Sequence, residues 1–270
     1  MTLRYAIIGN PVAHSLSPRI QRIFGVQTGR RLEYDALLAP LDGFVRLLRG
    51  FFEAGGRGVN VTLPFKEAAF DWVTSHDEFA GTAGAVNTIV VTADGFRGFN
   101  TDGIGLVRDL TINLGCALRD RRILILGAGG AVRGVLGPLL GASPACVLIA
   151  NRTSARARAL VERFEDPRLQ VADPASLEKP FDIVINGTSA GLTGALPDVP
   201  VESITGSLVY DMVYGKNAEP FRNWACEHGA AQAIDGLGML VEQAAEAFLL
   251  WHGIRPDSTS VLRELREERV

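Results

Sequence analysis

The sequence predicts an α/β protein of two domains, and three observations carry that reading. Short apolar runs alternate with helix-spaced apolar patterns along the whole chain. Strand–turn–helix units recur, and repeated β-α-β units imply a mostly parallel sheet with helices on its faces. A fresh set of units begins near residue 103, and 270 residues is more chain than one average domain uses.

The elements follow in order. Tyr5 to Gly9 reads as a strand ending in the turn Gly9-Asn10-Pro11. Ser17-Pro18 opens a helix through about Thr28, with Ser17 as N-cap and Pro18 at the first helical position. Leu32 to Leu38 is a second strand. Asp42 is the expected N-cap of a helix carrying Phe44, Leu47, Leu48, Phe51 and Phe52 on one face. Gly58 to Leu63 is a third strand, and Pro64 is expected to start a helix. Ala85 to Thr92 and Gly95 to Phe99 form a hairpin around Ala93-Asp94. Asp102-Gly103 leads into a helix through about Leu114, with Asp102 a plausible N-cap. Further strands fall at Arg121 to Leu126, Val147 to Ala150, Asp182 to Asn186, Leu208 to Met212 and Ala233 to Ile234. A last long helix runs from Gly238 to about Trp251.

Composition excludes several function classes. Hydrophobic residues at 47% and charged residues at 21% are ordinary globular values. A net charge of -3 gives no basic footprint for nucleic acid. Cys116, Cys146 and Cys226 lie far apart without C-x-x-C, which predicts no disulfide framework and no metal site. No apolar run approaches membrane-spanning length, so the expectation is a cytoplasmic protein with no membrane partner. Only three of the 27 basic residues are lysines: Lys66, Lys179 and Lys216.

The strand at Arg121 to Leu126 runs straight into Gly127-Ala128-Gly129-Gly130-Ala131 before a helix. That context suits a dinucleotide: a tight turn, close backbone approach to pyrophosphate, and free N–H groups at a helix N-terminus. The usual third glycine of the pattern falls at Val132. A carboxylate closing the next strand would bind a ribose 2′-hydroxyl. Here that strand delivers Asn151, Arg152, Thr153 and Arg156. Guanidinium groups meet phosphate through charge-assisted bonds, so this cluster points to a 2′-phosphate and hence NADP.

Polar residues of the first half gather at element ends. Ser15 and Ser17 precede a helix. Asn60 and Thr62 alternate with apolar residues, so both are expected on one side of the strand as it ends. Lys66 stands in the first turn of a helix, where a cation opposes the dipole by about 0.3–1 kcal/mol. Asn87 opens an apolar strand. Gln243 shares a helix face with Met239, Ala247 and Leu250, where its amide must find partners or cost about 1–3 kcal/mol.

Taken together these strings resemble the shikimate dehydrogenases. The resemblance spans nearly the whole chain: S-L-S-P at 15–18, N-V-T-L-P-F-K at 60–66, G-A-V-N-T at 84–88, N-T-D-G at 100–103, G-A-G-G-A at 127–131, N-R-T at 151–153, D-M-V-Y at 211–214 and G-L-G-M-L-V-E-Q-A at 236–244. It is closest to the biosynthetic, NADP-dependent branch. Phe99, and Gly187 where the family often carries alanine, are departures that remove no functional group.

The resemblance implies a substrate domain over 1–102 plus 238–270 and a Rossmann-type NADP-binding domain over 103–237, with the active-site cleft between them. It places the catalytic pair on Lys66 and Asp102, and further substrate contacts on Ser15, Ser17, Asn60, Thr62, Asn87, Tyr214 and Gln243. NADP contacts fall on Gly127, Ala128, Gly129, Gly130, Ala131, Asn151, Arg152, Thr153, Arg156, Thr188, Met212, Gly236 and Met239. The implied reaction is NADPH-dependent reduction of 3-dehydroshikimate to shikimate, by a monomer or homodimer. Lys66 would polarise the ring carbonyl, and Asp102 would orient Lys66 and bind a substrate hydroxyl. A relative with relaxed quinate or NAD use, and an idle NADP-binding regulator, are the alternatives.

Overall fold

The computed structural model describes residues 2–173, 177–188, 196 and 199–268. The chain divides into two compact units, Met1–Gly105 with Leu240–Val270, and Leu106–Met239. Among the described residues each unit carries one six-stranded sheet.

The first unit opens with β1 (Leu3–Gly9), α1 (Ser17–Gln27), β2 (Leu32–Leu38), α2 (Phe44–Glu53), β3 (Gly58–Val61) and α3 (Lys66–Trp72). It continues through β4 (Ser75–His76), α4 (Glu78–Ala83), β5 (Thr88–Thr92) and β6 (Gly95–Phe99). The strand order is β2-β1-β3-β5-β6-β4. β1 runs parallel to β2 and β3, and β4 parallel to β6. β5 is antiparallel to both neighbours, and toward β6 the two-residue turn allows nothing else. The sheet is therefore mixed, with parallel pairing in the half that carries the β-α-β units.

One side of this sheet buries Leu48, Phe51, Phe44 and Phe65, the last two stacked at 4.8 Å. Each such side chain contributes about 1.5–3 kcal/mol by leaving water. A second cluster joins Tyr5, Ile7, Val12 and Tyr34 to Trp251. The Trp251 indole donates to the Ile89 carbonyl at 3.0 Å. It lies where a Cβ on Gly58 would stand, 2.2 Å from its ring nitrogen, so glycine is required there.

Several expected helix starts shift. The α1 N-cap is Leu16, which puts Ser17 and Pro18 inside the first turn. The α2 N-cap is Gly43, since a turn closed by the Gly43 N–H on the Pro40 carbonyl carries the chain past Asp42. A turn closed by the Phe65 N–H on the Thr62 carbonyl at 3.0 Å precedes the helix, which starts at Lys66 instead of Pro64. β3 stops at Val61, leaving Thr62 beyond the strand. α4 was not anticipated, although Asp77 caps it by accepting the Ala80 N–H at 2.8 Å and Gly84 ends it in the left-handed region.

α5 (Asp102–Arg108) leads into a π-helical turn, Asp109–Asn113. The division between units falls after Gly105 within α5. The second unit then runs β7 (Arg122–Leu126), α6 (Gly130–Gly141), β8 (Cys146–Ala150), α7 (Ser154–Phe164), β9 (Leu169–Val171), β10 (Ile183–Asn186), β11 (Leu208–Asp211), α8 (Glu219–Glu227) and β12 (Gln232–Ile234). Every pairing is parallel, and the order is β12-β11-β10-β7-β8-β9. The strand order reverses between β7 and β10, and open α/β sheets bind ligands beyond the carboxyl ends at such a reversal. α9 (Leu237–His252) crosses the second division after Met239, and α10 (Ser258–Glu267) completes the first unit. Among the described residues no helix is long and apolar enough to cross a membrane.

Candidate functional site

In the first unit, Lys66 begins α3 and Asp102 begins α5. Their side chains meet, with Lys66 Nζ donating to Asp102 Oδ2 at 2.5 Å. Both are largely buried, at 19% and 12% side-chain exposure, so this pair is shielded from the solvent screening that weakens surface ion pairs. The partner explains why a cation is tolerated at a helix start. It also corrects the N-cap reading of Asp102, whose carboxylate turns away from its own helix. The Asp102 N–H is taken instead by Asn100 Oδ1 at 3.2 Å.

Asn87 immediately precedes β5 and supplies the second donor to Asp102, from Nδ2 to Oδ1 at 2.8 Å. The Asn87 carboxamide is locked at its other end, where Oδ1 accepts the Thr101 N–H at 2.9 Å. Asn60, on β3, is 4% exposed and bonds inward. Its Nδ2 donates to the Asn87 carbonyl at 3.2 Å and to Thr88 Oγ1 at 2.9 Å. Asn60 and Thr62 are thus separated in role: Asn60 points into the unit, while Thr62 sits half-buried on the turn. Gly9 makes room for Thr62, since a Cβ at Gly9 would lie 2.3 Å from the Thr62 methyl.

Ser15 Oγ accepts the Ser17 N–H at 3.2 Å. The buried Ser17 hydroxyl makes no hydrogen bond to another described residue. Gln243, on α9, donates to the Leu240 carbonyl at 2.9 Å and accepts from Thr101 Oγ1 at 3.4 Å. The first unit therefore brings Asn60, Lys66, Asn87, Asp102 and Gln243 into one hydrogen-bonded set. It adds Tyr34, Thr88 and Thr101, which sequence reasoning did not single out. Thr88 and Thr101 lie inside the quoted motifs; Tyr34 had no local signal.

In the second unit, the expected cofactor residues line the carboxyl edge of the sheet. Gly127 follows β7, Asn151 follows β8, Thr188 follows β10, Met212 follows β11 and Gly236 follows β12. Gly127 takes φ +105° and passes its N–H to the Ala150 carbonyl at 2.8 Å. Gly236 approaches the Met212 backbone so closely that a Cβ would lie 2.4 Å from its carbonyl oxygen. Thr188 is held by Asn186 Oδ1, which accepts both its N–H at 3.1 Å and its hydroxyl at 2.7 Å. Tyr214 is half-buried after β11. The Met239 N–H donates to the Tyr210 hydroxyl at 3.2 Å, and that hydroxyl donates to the buried Asp109 at 2.7 Å. Asp211 closes β11 fully buried. Its Oδ1 accepts from the Val213 N–H at 3.0 Å, and its Oδ2 has no hydrogen-bond partner among the described residues. Burial pushes this carboxyl up to about 6.

These residues fit a phosphorylated dinucleotide. A Cβ on Gly129 or Gly130 would meet nothing within 4 Å, so the absent side chains leave open space that packing does not use. Gly129 is the N-cap of α6 and offers no side-chain cap, which leaves the helix N–H groups for an anion. Arg152 and Thr153 are exposed on the β8–α7 connection and Arg156 is exposed in the first turn of α7, and neither arginine forms an ion pair among the described residues.

The parallel sheet, its strand reversal and the glycine turn define a protein with a Rossmann-type dinucleotide-binding unit, joined to a second α/β unit that carries a lysine–aspartate pair. Family models narrow this. Residues 7–89 match the shikimate dehydrogenase substrate binding domain, 110–194 the shikimate/quinate 5-dehydrogenase model and 236–266 the shikimate 5'-dehydrogenase C-terminal domain. A relative from Alkalilimnicola ehrlichii named shikimate dehydrogenase (NADP(+)) is 56% identical over 270 residues, covering 99% of this chain and 100% of the relative. An Ael1 enzyme from Pseudomonas putida has the same fold at TM-score 0.92 and 45% identity, covering 98% of both chains. The shikimate 5-dehydrogenase of Thermus thermophilus, solved in complex with NADP(H) and shikimate, aligns at TM-score 0.85 and 33% identity over 100% of both chains. The chain belongs to the shikimate dehydrogenase family.

Proposed function

We propose that this protein is an NADP-dependent shikimate dehydrogenase that reversibly reduces 3-dehydroshikimate to shikimate, on the route to chorismate and the aromatic amino acids. Within the family scaffold, the observation that carries the reading is the shielded Lys66–Asp102 pair at 2.5 Å, braced by Asn87. The unit of residues 1–105 and 240–270 takes the substrate, and the unit of residues 106–239 takes the cofactor.

Bound NADPH supplies the hydride, and the protein manages charge on the ketone oxygen. An ammonium can carry three hydrogen bonds, and Asp102 takes one of those from Lys66. Lys66 directs another at the substrate oxygen, stabilises negative charge as it develops, and passes a proton to it. Asp102 fixes the lysine and accepts from a ring hydroxyl; Asn87 fixes Asp102. Ser15, Ser17, Thr62, Tyr214 and Gln243 offer the hydroxyl and amide groups that a carboxylated, hydroxylated ring needs, and Asn60 keeps one acceptor lone pair. Arg152, Thr153 and Arg156 hold the 2′-phosphate, which favours NADP over NAD. Gly127, Ala128, Gly129, Gly130 and Ala131 receive the pyrophosphate, and Thr188, Met212, Gly236 and Met239 complete the cofactor edge.

Free cysteines at Cys116, Cys146 and Cys226 and the use of NADPH support a cytoplasmic enzyme. The working species is a monomer or homodimer, which sedimentation at assay concentration tests. Activity is tested directly. Purified protein with 3-dehydroshikimate should consume NADPH, followed by loss of the near-ultraviolet nicotinamide absorbance, and NADH should serve far less well. Absence of turnover with NADPH overturns the reading.

A further inference from the structure

Tyr34 lies on β2, carries no substrate assignment of its own, and is 1% exposed. It is the only buried residue of its strand. Its ring packs with Tyr5, Ile7 and Val12, and its centroid stands 6.3 Å from that of Trp251. Its hydroxyl does not end in this apolar cluster. It donates to Asn60 Oδ1 at 2.6 Å.

From there the hydrogen bonds can be followed link by link, each donor to its acceptor. The Asn87 carbonyl can only accept, so the Asn60 amide nitrogen must face it and Asn60 Oδ1 must face Tyr34. Asn60 Nδ2 also donates to Thr88 Oγ1 at 2.9 Å, so the single Thr88 hydroxyl hydrogen is free to go to Asn87 Oδ1, 2.9 Å away. The Thr101 backbone N–H donates to the same Asn87 oxygen, which fixes the Asn87 amide nitrogen toward Asp102 Oδ1. The chain therefore runs one way, Tyr34 to Asn60 to Thr88 to Asn87 to Asp102. It ends on the carboxylate that holds Lys66. Tyr34, Asn60, Thr88 and Asn87 are each at most 4% exposed, so water does not substitute for a missing link. Burial also raises the Tyr34 hydroxyl well above its ordinary range, which keeps it a neutral donor.

We infer that Tyr34 is a positioning residue for the Lys66–Asp102 pair, acting through Asn60, Thr88 and Asn87. The inference rests on the proposed dehydrogenase reading for its kinetic consequence and on the hydrogen-bond geometry alone for its structural one. Asn60 is accordingly a structural relay first: both amide hydrogens are committed, and it can meet a ligand only as an acceptor.

The test uses the full-length enzyme with Tyr34→Phe, Thr88→Val and the double variant. Tyr5→Phe is the control, because it removes a buried hydroxyl from the same cluster with no place in the relay. Tyr34→Phe should lower kcat/KM for shikimate about tenfold, the size of one buried hydrogen bond, while KM for NADP+ stays within about twofold. Tyr5→Phe should change neither. The double variant should lose little more than Thr88→Val alone, although Tyr34 and Thr88 share no hydrogen bond. A Tyr34→Phe protein that matches Tyr5→Phe, or losses that simply add in the double variant, overturns the inference.

A second readout needs no turnover. The side-chain NH2 signals of Asn60 and Asn87 should exchange slowly with solvent in the wild type and markedly faster in Tyr34→Phe. Unchanged exchange overturns the relay even if the variant is kinetically altered. Should Tyr34→Phe fail to fold, Thr88→Val carries the same measurements one link nearer Asp102. A wild type that does not turn over shikimate yet shows the exchange pattern would sink the dehydrogenase reading and leave the relay standing.

Discussion

Gly187→Ala offers the sharpest test of how the glycine turn is packed. An alanine Cβ at 187 would lie 2.4 Å from Val132 Cγ2 and 3.2 Å from Met212 Sδ, whereas ordinary contact is 3.4–4 Å. The methionine sulfur can move, because its side chain is flexible. Val132 cannot: it is fully buried on α6, and a β-branched residue in a helix keeps essentially one rotamer. The overlap of about 1 Å must therefore be relieved by shifting the first turn of α6 itself. Overpacking of this kind costs about 1–3 kcal/mol. Gly187 does not occupy the left-handed region, so alanine recovers about 0.4–1 kcal/mol of unfolded-state entropy. The net loss should be about 1–2 kcal/mol, or about 2–8 °C in Tm. NADPH should also bind several-fold more weakly, since the shifted turn carries the pyrophosphate N–H groups. Calorimetry and NADPH titration of Gly187→Ala, Val132→Ala and the double variant decide the matter. Val132→Ala should rescue Gly187→Ala, with a coupling of about 1–2 kcal/mol. Two single effects that add within about 0.5 kcal/mol would refute the reasoning.

Other expectations follow from the same structure. Lys66→Ala should lower kcat about 10²–10⁴-fold with the fold intact by circular dichroism, and unchanged kcat would remove Lys66 from the chemistry. Arg152→Ala should raise KM for NADP+ at least about tenfold and leave the poor use of NAD+ unaltered, since a charge-assisted bond is worth about 1.5–3 kcal/mol; an equal change for both cofactors argues against a 2′-phosphate contact. Asp211 binds its proton more tightly folded than unfolded, because burial lifts its carboxyl from 3.8 to about 6. Its contribution is therefore full below about pH 4 and is lost as pH rises to about 6, up to about 3 kcal/mol. Urea midpoints from pH 4 to 7 should show this fall in the wild type relative to Asp211→Asn, and parallel curves would contradict it.

Much of this was legible in the residues because local rules and tertiary packing agree. The glycines of 127–131 follow β7 and open α6 as their place in the sequence required, and the strand read at Leu32 to Leu38 is β2. Local rules failed where a distant partner outbid them. Asp102 looked like a helix cap, yet Lys66 and Asn87 take its carboxylate. Ser17 looked like another, and Leu16 holds that place. Tyr34 was invisible as a functional residue because its one polar bond crosses 26 positions of sequence. Asp109, which opens the π-helical turn, accepts from Tyr210, further away still. α4 is different, since Asp77 and Gly84 give it ordinary cap signals at both ends. Val132, which broke the glycine pattern, is matched by Gly187, a second departure that only the coordinates reveal as its complement.

The first unit is made of two stretches of chain separated by all of the second, and its interior is shared between them. Gln21 donates to the Ala244 carbonyl, Phe24 meets Phe248 edge-on at 5.8 Å, and Trp251 donates to Ile89. During synthesis the residues up to Gly105 leave the ribosome without these partners. At about 5–20 residues per second, Leu106–Met239 takes on the order of ten seconds to appear. For that interval Phe24 has no α9 to cover it, while the second unit, continuous in sequence, can complete its own sheet. The nascent chain thus carries an exposed apolar face that invites holding by a chaperone, and the last thirty or so residues act as the closing stitch of the first unit.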